Sequence, residues 1–323
     1  MPLLDVRNLT VRFHARGGVV HAVENVSFVL DHGETLGIVG ESGSGKSVTC
    51  QSLLRLLPEP PARIEQGEAR LEGVNLLSLP ARELRRVRGR RISVIFQDPM
   101  TALNPYLRVS AQLIEPLRLH LALTRREARE CAVAALREVG MSEPEARMHN
   151  YPHELSGGMR QRVMIAMALA TRPDILIADE PTTALDVTVQ AQILELIGNL
   201  QRKHGTAVIL ITHDLGVVAG RCNRVAVMYA GRIVEIGETA AVYRQPRHPY
   251  TEALKRAIPS LEGGTEELAS IPGEPPDPTQ PVQGCPFQPR CRHASAICGE
   301  PCALRDVAPG HATSCVRVQR GEL

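Results

Sequence analysis

Lysine is nearly absent from this chain, which has only Lys46, Lys203 and Lys255 against 34 arginines. Long apolar runs are absent too. The longest candidates, around 163–170 and 207–211, fall far short of the ~18 consecutive apolar residues a bilayer span needs. The opening Met-Pro-Leu-Leu-Asp-Val has no basic stretch leading into an apolar one, so no secretory leader is expected. Charge is nearly balanced at +2, which gives no reason to expect nucleic acid as a partner. The arginines alternate with acids, as in Arg125-Arg-Glu-Ala-Arg-Glu130, a pattern that reads as a solvated helix face. What remains, 43% hydrophobic and 22% charged, is ordinary for a soluble globular protein.

Against that background one of the scarce lysines is conspicuous. Gly40-Glu-Ser-Gly-Ser-Gly-Lys-Ser47 is a complete G-x-x-x-x-G-K-S phosphate loop. The spacing predicts a short buried strand over 35–39 before it and a helix over 48–57 after it. Such a turn aims backbone N–H groups and the positive end of a helix dipole at phosphate. Gly40, Gly43 and Gly45 let the backbone wrap closely, with Glu41, Ser42 and Ser44 between them. Lys46 suits the β/γ-phosphates, where a compact ammonium is wanted instead of a planar fork, and the Ser47 hydroxyl suits Mg²⁺. The competing explanation is a chance glycine-rich turn, and the strand–loop–helix context argues against it.

Asp174-Ile-Leu-Ile-Ala-Asp-Glu180 reads as a buried strand ending in two carboxylates. At the carboxyl edge of a parallel sheet these are expected to face phosphates held by a neighbouring loop. Asp179 suits a direct or water-mediated Mg²⁺ ligand, and Glu180 a general base that polarises the attacking water. A further strand over 207–212 ends in His213, placed to contact a γ-phosphate. Acidic pairs also cap helices, but three strands here deliver polar groups to one edge.

Leu155-Ser-Gly-Gly-Met-Arg-Gln161 resembles the signature motif of ABC-type ATPases, which ordinary phosphate-loop proteins lack. Gln97 in Ile95-Phe-Gln-Asp-Pro99 matches that family's Q-loop, Thr183-Ala-Leu-Asp186 its D-loop and His213 its switch histidine. Phe13 stands where the family usually has an aromatic that stacks on adenine. The ordered set runs from residue 4 to about 240. The resemblance implies an α/β ABC-type nucleotide-binding domain, with a RecA-like P-loop core, an antiparallel β edge subdomain and a helical subdomain carrying the signature. It also implies ATP and Mg²⁺, the metal being held by Ser47, Gln97 and Asp179. Ser156 is expected to cap a helix that begins at Gly157 and Gly158, forming a second anion site. In the family that site completes the ATP pocket of a partner subunit, so ATP joins two domains head to tail.

Residues 4–30 read as two strands around a Gly17-Gly18 turn. The periodicity turns helical from Tyr106 to about Ala170. Within it, Thr124 and Glu127 form a capping box, Ala128, Ala132, Leu136 and Val139 lie on one stripe, and Gly140 is the stop. A helix is expected over 187–203 and strands over 224–229 and 232–236. The division is an ATPase domain over 1–245, with a helical subdomain inserted at about 104–172, and a C-terminal extension over 246–323. Prolines at 272, 275, 276, 278 and 281 mark a linker with little regular structure. No internal repeat is present, so a second cassette must come from another chain.

Five of the eight cysteines crowd between 285 and 315, which in a cytosolic ATPase suggests metal before disulfide. Arg247-His-Pro-Tyr-Thr251, Gly284-Cys-Pro-Phe-Gln-Pro-Arg-Cys291, Cys298, His311 and Cys315 together resemble the tail of ATP-binding subunits of dipeptide/oligopeptide permeases. So do the stretches 96–105 and 178–186. Nickel, glutathione and antimicrobial-peptide transporters share much of this pattern. The resemblance suggests a [4Fe-4S] cluster on Cys285, Cys291, Cys298 and Cys315. Zinc is the alternative although C-x₂₋₄-C pairs are absent, unligated thiols are a third possibility, and Cys302 departs from the four-cysteine pattern. Arg290 and Arg292 flank Cys291 and are expected to offset the charge of a ligated cluster, while the tail as a whole is expected to lie outside the ATP site.

The function implied is ATP hydrolysis driving peptide import at the cytoplasmic face of a bacterial inner membrane. The implied partners are a second ABC ATPase subunit, two transmembrane permease subunits, through which alone the chain meets the membrane, and an extracytoplasmic peptide-binding protein. A soluble ABC ATPase acting on nucleic acid is the rival class. Only 58 positions separate Gln97 from Leu155, too few for long coiled-coil arms, and the single cassette argues against a tandem ribosome-associated type. A small-molecule kinase would not need the signature.

Overall fold

A computed structural model of the chain describes residues 1–98, 102–182, 186–257 and 270–323. It forms two compact units: Met1–Asp31, Thr35–Ser78 and Leu210–Leu323 make the first, and His32–Glu34 with Leu79–Ile209 the second. The extension beyond 245 thus falls within the first unit.

In the first unit, strands β1 (Leu4–Ala15) and β2 (Gly18–Leu30) form the expected hairpin, the turn falling at Arg16-Gly17. Leu4, Val6, Leu9 and Val11 of β1 and Val23, Val26 and Leu30 of β2 are fully buried. Burying each such side chain contributes about 1.5–3 kcal/mol. Two strands that no sequence signal singled out, β4 (Ala62–Leu71) and β5 (Val74–Asn75), extend this hairpin. Strand β4 pairs with β1 from Leu4↔Leu71 to Phe13↔Ala62, giving an antiparallel sheet in the order β2-β1-β4-β5.

The same unit holds β3 (Thr35–Val39), all five residues buried, which pairs in parallel with β9 (Arg224–Tyr229). Strand β9 turns back through Ala230-Gly231 into β10 (Arg232–Glu238). Both turn residues have positive φ, 45° and 78°, as a tight hairpin turn requires. The next strands come from the extension. Strand β12 (His311–Thr313) pairs with β10, and β11 (Arg305–Ala308) pairs with β12. The proline-rich stretch over 270–284 carries no helix or strand, as expected. The extension around it does have regular structure, with the helix Pro249–Arg256 before it and these two strands after it.

In the second unit β6 (Ile92–Ile95) and β7 (Ile175–Asp179) pair in parallel. Helices Val109–Leu121, Arg125–Glu138 and Gly157–Leu169 pack together. The Thr124–Glu127 capping box forms in both directions. Ala128, Ala132, Leu136 and Val139 are all buried, and Gly140 ends the run at φ 70°. The helix Val187–His204 is stopped by Gly205 at φ 69°, and the wholly buried strand β8 (Ala207–Thr212) then leads the chain into the first unit.

Candidate functional site

The phosphate loop runs from the end of β3 into the helix Lys46–Leu53, which starts two residues earlier than the spacing suggested and ends before Arg55 at φ 50°. Two glycines are demanded by close approach. A Cβ on Gly40 would lie 2.1 Å from the Met228 carbonyl oxygen, and one on Gly45, at φ 96°, 2.4 Å from that of Ala22. The loop is therefore pressed against β9 and β2, while Ser42 and Gly43 stay exposed. Lys46 is buried, and its Nζ donates to the Gly40 and Glu41 carbonyls at 2.8 and 2.9 Å and to Ser44 Oγ at 3.4 Å. Ser47 occupies the first turn of the helix and is half-buried. Phe13 is half-buried on β1, paired between Val20 and Ala62.

A second set of contacts was not legible in the motifs. The Glu41 N–H donates to Tyr250 Oη at 2.9 Å, and the Glu41 carboxylate receives both terminal nitrogens of Arg290, at 2.7 and 3.0 Å. These partners lie 209 and 249 positions away, so no local pattern announces them.

In the second unit the register explains the polar edge. Ile95 of β6 lies opposite Ala178 of β7, so Gln97 and Glu180 each follow that pair by two residues. Gln97 Nε2 donates to Glu180 Oε2 at 3.0 Å. Asp179 is the last residue of β7 and is buried, whereas Glu180 turns out of the strand at φ 44°. Ser156 caps the helix Gly157–Leu169 as expected, its Oγ accepting from the Met159 N–H at 3.4 Å. Ser156 and Gly157 are exposed, and a Cβ on Gly157 would meet nothing within 4 Å. Asp186 caps the helix Val187–His204 through the Val189 N–H at 2.9 Å. The preceding Thr183-Ala-Leu of the D-loop match, like Pro99, Met100 and Thr101, lies outside the described residues. His213 follows β8 in the first unit and is exposed.

Cys285, Cys291, Cys298 and Cys315 line one small cavity together with His248, Gln288, His293 and Arg317, and Cys302 is not part of its wall. All eight cysteines are free. Burial, reinforced by the neighbouring thiols, pushes Cys285 up to about 12 and raises Cys291 and Cys315 as well. Burial also drives His248 down to about 3, so it is a neutral imidazole, accepting from the Tyr250 N–H at 3.1 Å through Nδ1. Among the described residues no three His, Cys, Asp or Glu side chains are grouped to hold a single metal ion.

Two expectations about this region need correction. Arg290 does not attend the thiols, because all its N–H groups go to Glu41, Tyr229 Oη and the Ile271 and Pro272 carbonyls. Arg292 pairs with Glu252 at 2.7 Å. The cation on the cavity wall is Arg317, which acts to lower Cys291 and Cys315 against the effect of burial. Nor does the extension lie apart from the phosphate loop, since Tyr250 and Arg290 both belong to it.

A glycine loop that exposes N–H groups is common to phosphate-binding proteins, but the serine-capped Leu-Ser-Gly-Gly helix is the mark of ABC-type ATPases. This chain is one of them, and it binds and hydrolyses ATP. The ABC transporter family matches residues 23–183, and the oligopeptide/dipeptide transporter C-terminal region matches 234–298. The chain is 54% identical to the oligopeptide transport ATP-binding protein OppD of Salmonella typhimurium over 315 residues, 98% of this chain and 93% of that one. It is 53% identical to the dipeptide transport ATP-binding protein DppD of Bacillus subtilis over 296 residues, 92% of this chain and 88% of DppD. The chain therefore belongs to the family of ABC transporter ATP-binding proteins, in its oligopeptide/dipeptide branch. Among solved structures it resembles the ATP-binding cassette MJ0796 in a dimeric post-hydrolysis state bound to ADP and Pi, with a TM-score of 0.65 and 29% identity over 73% of this chain and 98% of that one.

Proposed function

We propose that this chain is the ATP-hydrolysing subunit of a bacterial importer of dipeptides or oligopeptides. The observation that carries this reading is the match to the transporter C-terminal region over 234–298, joined to identities above half along nearly the whole chain. Lys46 and the loop N–H groups hold the β/γ-phosphates, Ser47, Asp179 and Gln97 serve Mg²⁺, Glu180 is the general base, and His213 contacts the γ-phosphate. Phe13 stacks on adenine. Ser156, Gly157 and Gly158 act on the nucleotide of a second ATPase subunit, with Asp186 beside that junction, and the exposure of Ser156 and Gly157 supports this role. The dimeric state of MJ0796 supports the same arrangement. Two permease subunits and an extracytoplasmic peptide-binding protein complete the assembly, which holds the chain peripherally at the cytoplasmic face of the inner membrane. No described helix is long and apolar enough to cross a membrane. The test is ATP-dependent uptake by proteoliposomes that hold this chain with its partner permease subunits, with labelled dipeptides, longer peptides, glutathione and nickel compared. Uptake of peptides supports the reading, and uptake of nickel or glutathione alone rejects the peptide assignment.

For the extension we propose a [4Fe-4S] cluster on Cys285, Cys291, Cys298 and Cys315. Four soft sulfur donors around one cavity suit it. Zinc is the alternative, since thiolates suit both centres, although the usual C-x₂₋₄-C pairs are absent. When bound, the cluster would supply a cross-link among the four cysteines, so its binding energy would add to folding.

A further inference from the structure

Glu41 is the second residue of the phosphate loop, and its surroundings are built from the far end of the chain. Arg290 closes over it as a planar fork, with Nη1 to Glu41 Oε2 at 2.7 Å and Nη2 to Oε1 at 3.0 Å. The guanidinium is itself fixed on every side. Nη1 also donates to Tyr229 Oη at 3.1 Å, Nη2 to the Ile271 carbonyl at 3.2 Å and Nε to the Pro272 carbonyl at 3.0 Å. It lies over the rings of Tyr229 and Phe287, 5.8 and 5.9 Å from their centroids. The Arg290 side chain is 4% exposed, against 29% for Glu41. A bidentate, desolvated pair of this kind fixes geometry as well as charge.

Tyr250 holds the backbone of the same residue. Its ring is fully buried against Tyr229 and Phe287, and its hydroxyl accepts the Glu41 N–H. The Glu41 carbonyl meanwhile accepts from Lys46 Nζ and from the Ser44 N–H. Side chain, N–H and carbonyl of Glu41 are thus each committed, two of them to residues of the extension. The contacts also continue towards the thiols, because the Tyr250 N–H donates to His248 Nδ1 and His248 Nε2 lies 3.9 Å from Cys285 Sγ.

We infer that Arg290 and Tyr250 are positioning residues for the phosphate loop, so that nucleotide affinity is set in part by the cysteine-bearing extension. The hydroxyl of Tyr250 and the guanidinium of Arg290 both make their contacts to the loop through Glu41. They act by holding Glu41, and with it the loop backbone whose N–H groups meet the phosphates, in one conformation before ligand arrives. A loop released from this clamp must be ordered at the moment of binding, and affinity falls by the population of the competent form.

The inference rests on Gly40–Ser47 being the phosphate cradle, and one variant tests that premise separately. Full-length chain is titrated with a fluorescent ADP analogue, with thermal unfolding followed alongside. Lys46→Ala should abolish measurable binding, and if it binds normally the cradle assignment fails, whatever Arg290 does. Arg290→Met should weaken binding about tenfold or more, since it leaves a half-buried carboxylate unpaired. Glu41→Gln should do the same, and the double variant Glu41→Gln with Arg290→Met should be no weaker than the worse single one. Tyr250→Phe, which removes only an oxygen, should weaken binding roughly two- to tenfold, and it carries the test if Arg290→Met does not fold. Arg292→Met, two residues along in the same segment, should bind within twofold of wild type. Affinity unchanged in Arg290→Met or Tyr250→Phe, losses that multiply in the double variant, or an equal loss in Arg292→Met would each overturn the inference, the last by reducing it to general loosening of the tail.

Discussion

Gln97 Nε2 donates to Glu180 Oε2 at 3.0 Å, joining the residue that leaves β6 to the residue that leaves β7. The contact follows from the parallel register of Ile95 with Ala178, not from any feature of either motif. It gives the carboxylate a neutral donor, which steadies its orientation without neutralising it.

If Glu180 is the base, Glu180→Gln should keep ATP binding and lose most hydrolysis. The expected fall in turnover is about 10²–10⁴-fold, and the variant should accumulate as an ATP-stabilised dimer by size-exclusion chromatography. Turnover within a few-fold of wild type in the assembled complex would remove Glu180 from that role.

Gln97→Ala should leave the Glu180 side chain without its amide partner. Hydrolysis should fall by about tenfold or more, since a hydrogen bond to a charged group is worth about 1.5–3 kcal/mol, with nucleotide affinity of the isolated chain changed much less. Single-turnover hydrolysis in the reconstituted assembly is the measurement.

Lys46→Ala and Ser156→Arg should separate the two faces of the nucleotide. The first acts within its own chain and should abolish binding to the monomer. The second alters an exposed helix terminus and should leave monomer binding intact while blocking ATP-driven dimerisation, read by light scattering with and without ATP. Equal loss of monomer binding in both would contradict a site completed by the partner.

Gly45→Ala places a methyl 2.4 Å from the Ala22 carbonyl oxygen in a backbone region that L residues avoid. Strain of this kind costs about 1–3 kcal/mol before the clash is counted. The expected outcome is a lower midpoint of chemical unfolding together with lost nucleotide binding. Gly157→Ala, with open space around it, should leave the midpoint unchanged.

Chain purified without oxygen should be brown and contain about four irons and four sulfides. Cys285→Ser or Cys298→Ser should bleach it, whereas Cys302→Ser, outside the cavity wall, should not. Stoichiometric zinc without sulfide would replace the cluster with a simpler centre. Because the extension reaches Glu41, bleached protein is also expected to bind nucleotide more weakly.

Legibility in the sequence followed the range of the interactions involved. The phosphate loop, the Thr124–Glu127 cap and the Ser156 cap could be read because their partners lie within a few residues, where chemistry dictates spacing. The strand ending at Asp179 could be read because four consecutive apolar residues, Ile175 to Ala178, all buried, lead into the carboxylate. Strand β12 could not, because it is three residues long and defined only by pairing with its neighbours. Arg290 looked like a partner for adjacent Cys291, since proximity in sequence is all a sequence offers. Its true partner is 249 positions away, and its role appears only when the fold brings the extension back to the first β–loop–α turn.

The pairing of β12 with β10 also bears on how the chain can be shortened. Strand β10 meets β9 along one side and β12 along the other. A chain cut at residue 245 would leave one row of its backbone N–H and C=O groups bare, on a strand whose residues Ile233, Val234 and Ile236 are apolar. It would also strip Glu235, fully buried, of the His311 imidazole and of the Arg247 and His248 N–H groups that it accepts. An apolar strand with an open edge is a template for pairing with its own copies. The isolated cassette, although it would retain every nucleotide motif, is for that reason the form of this protein most prone to aggregate.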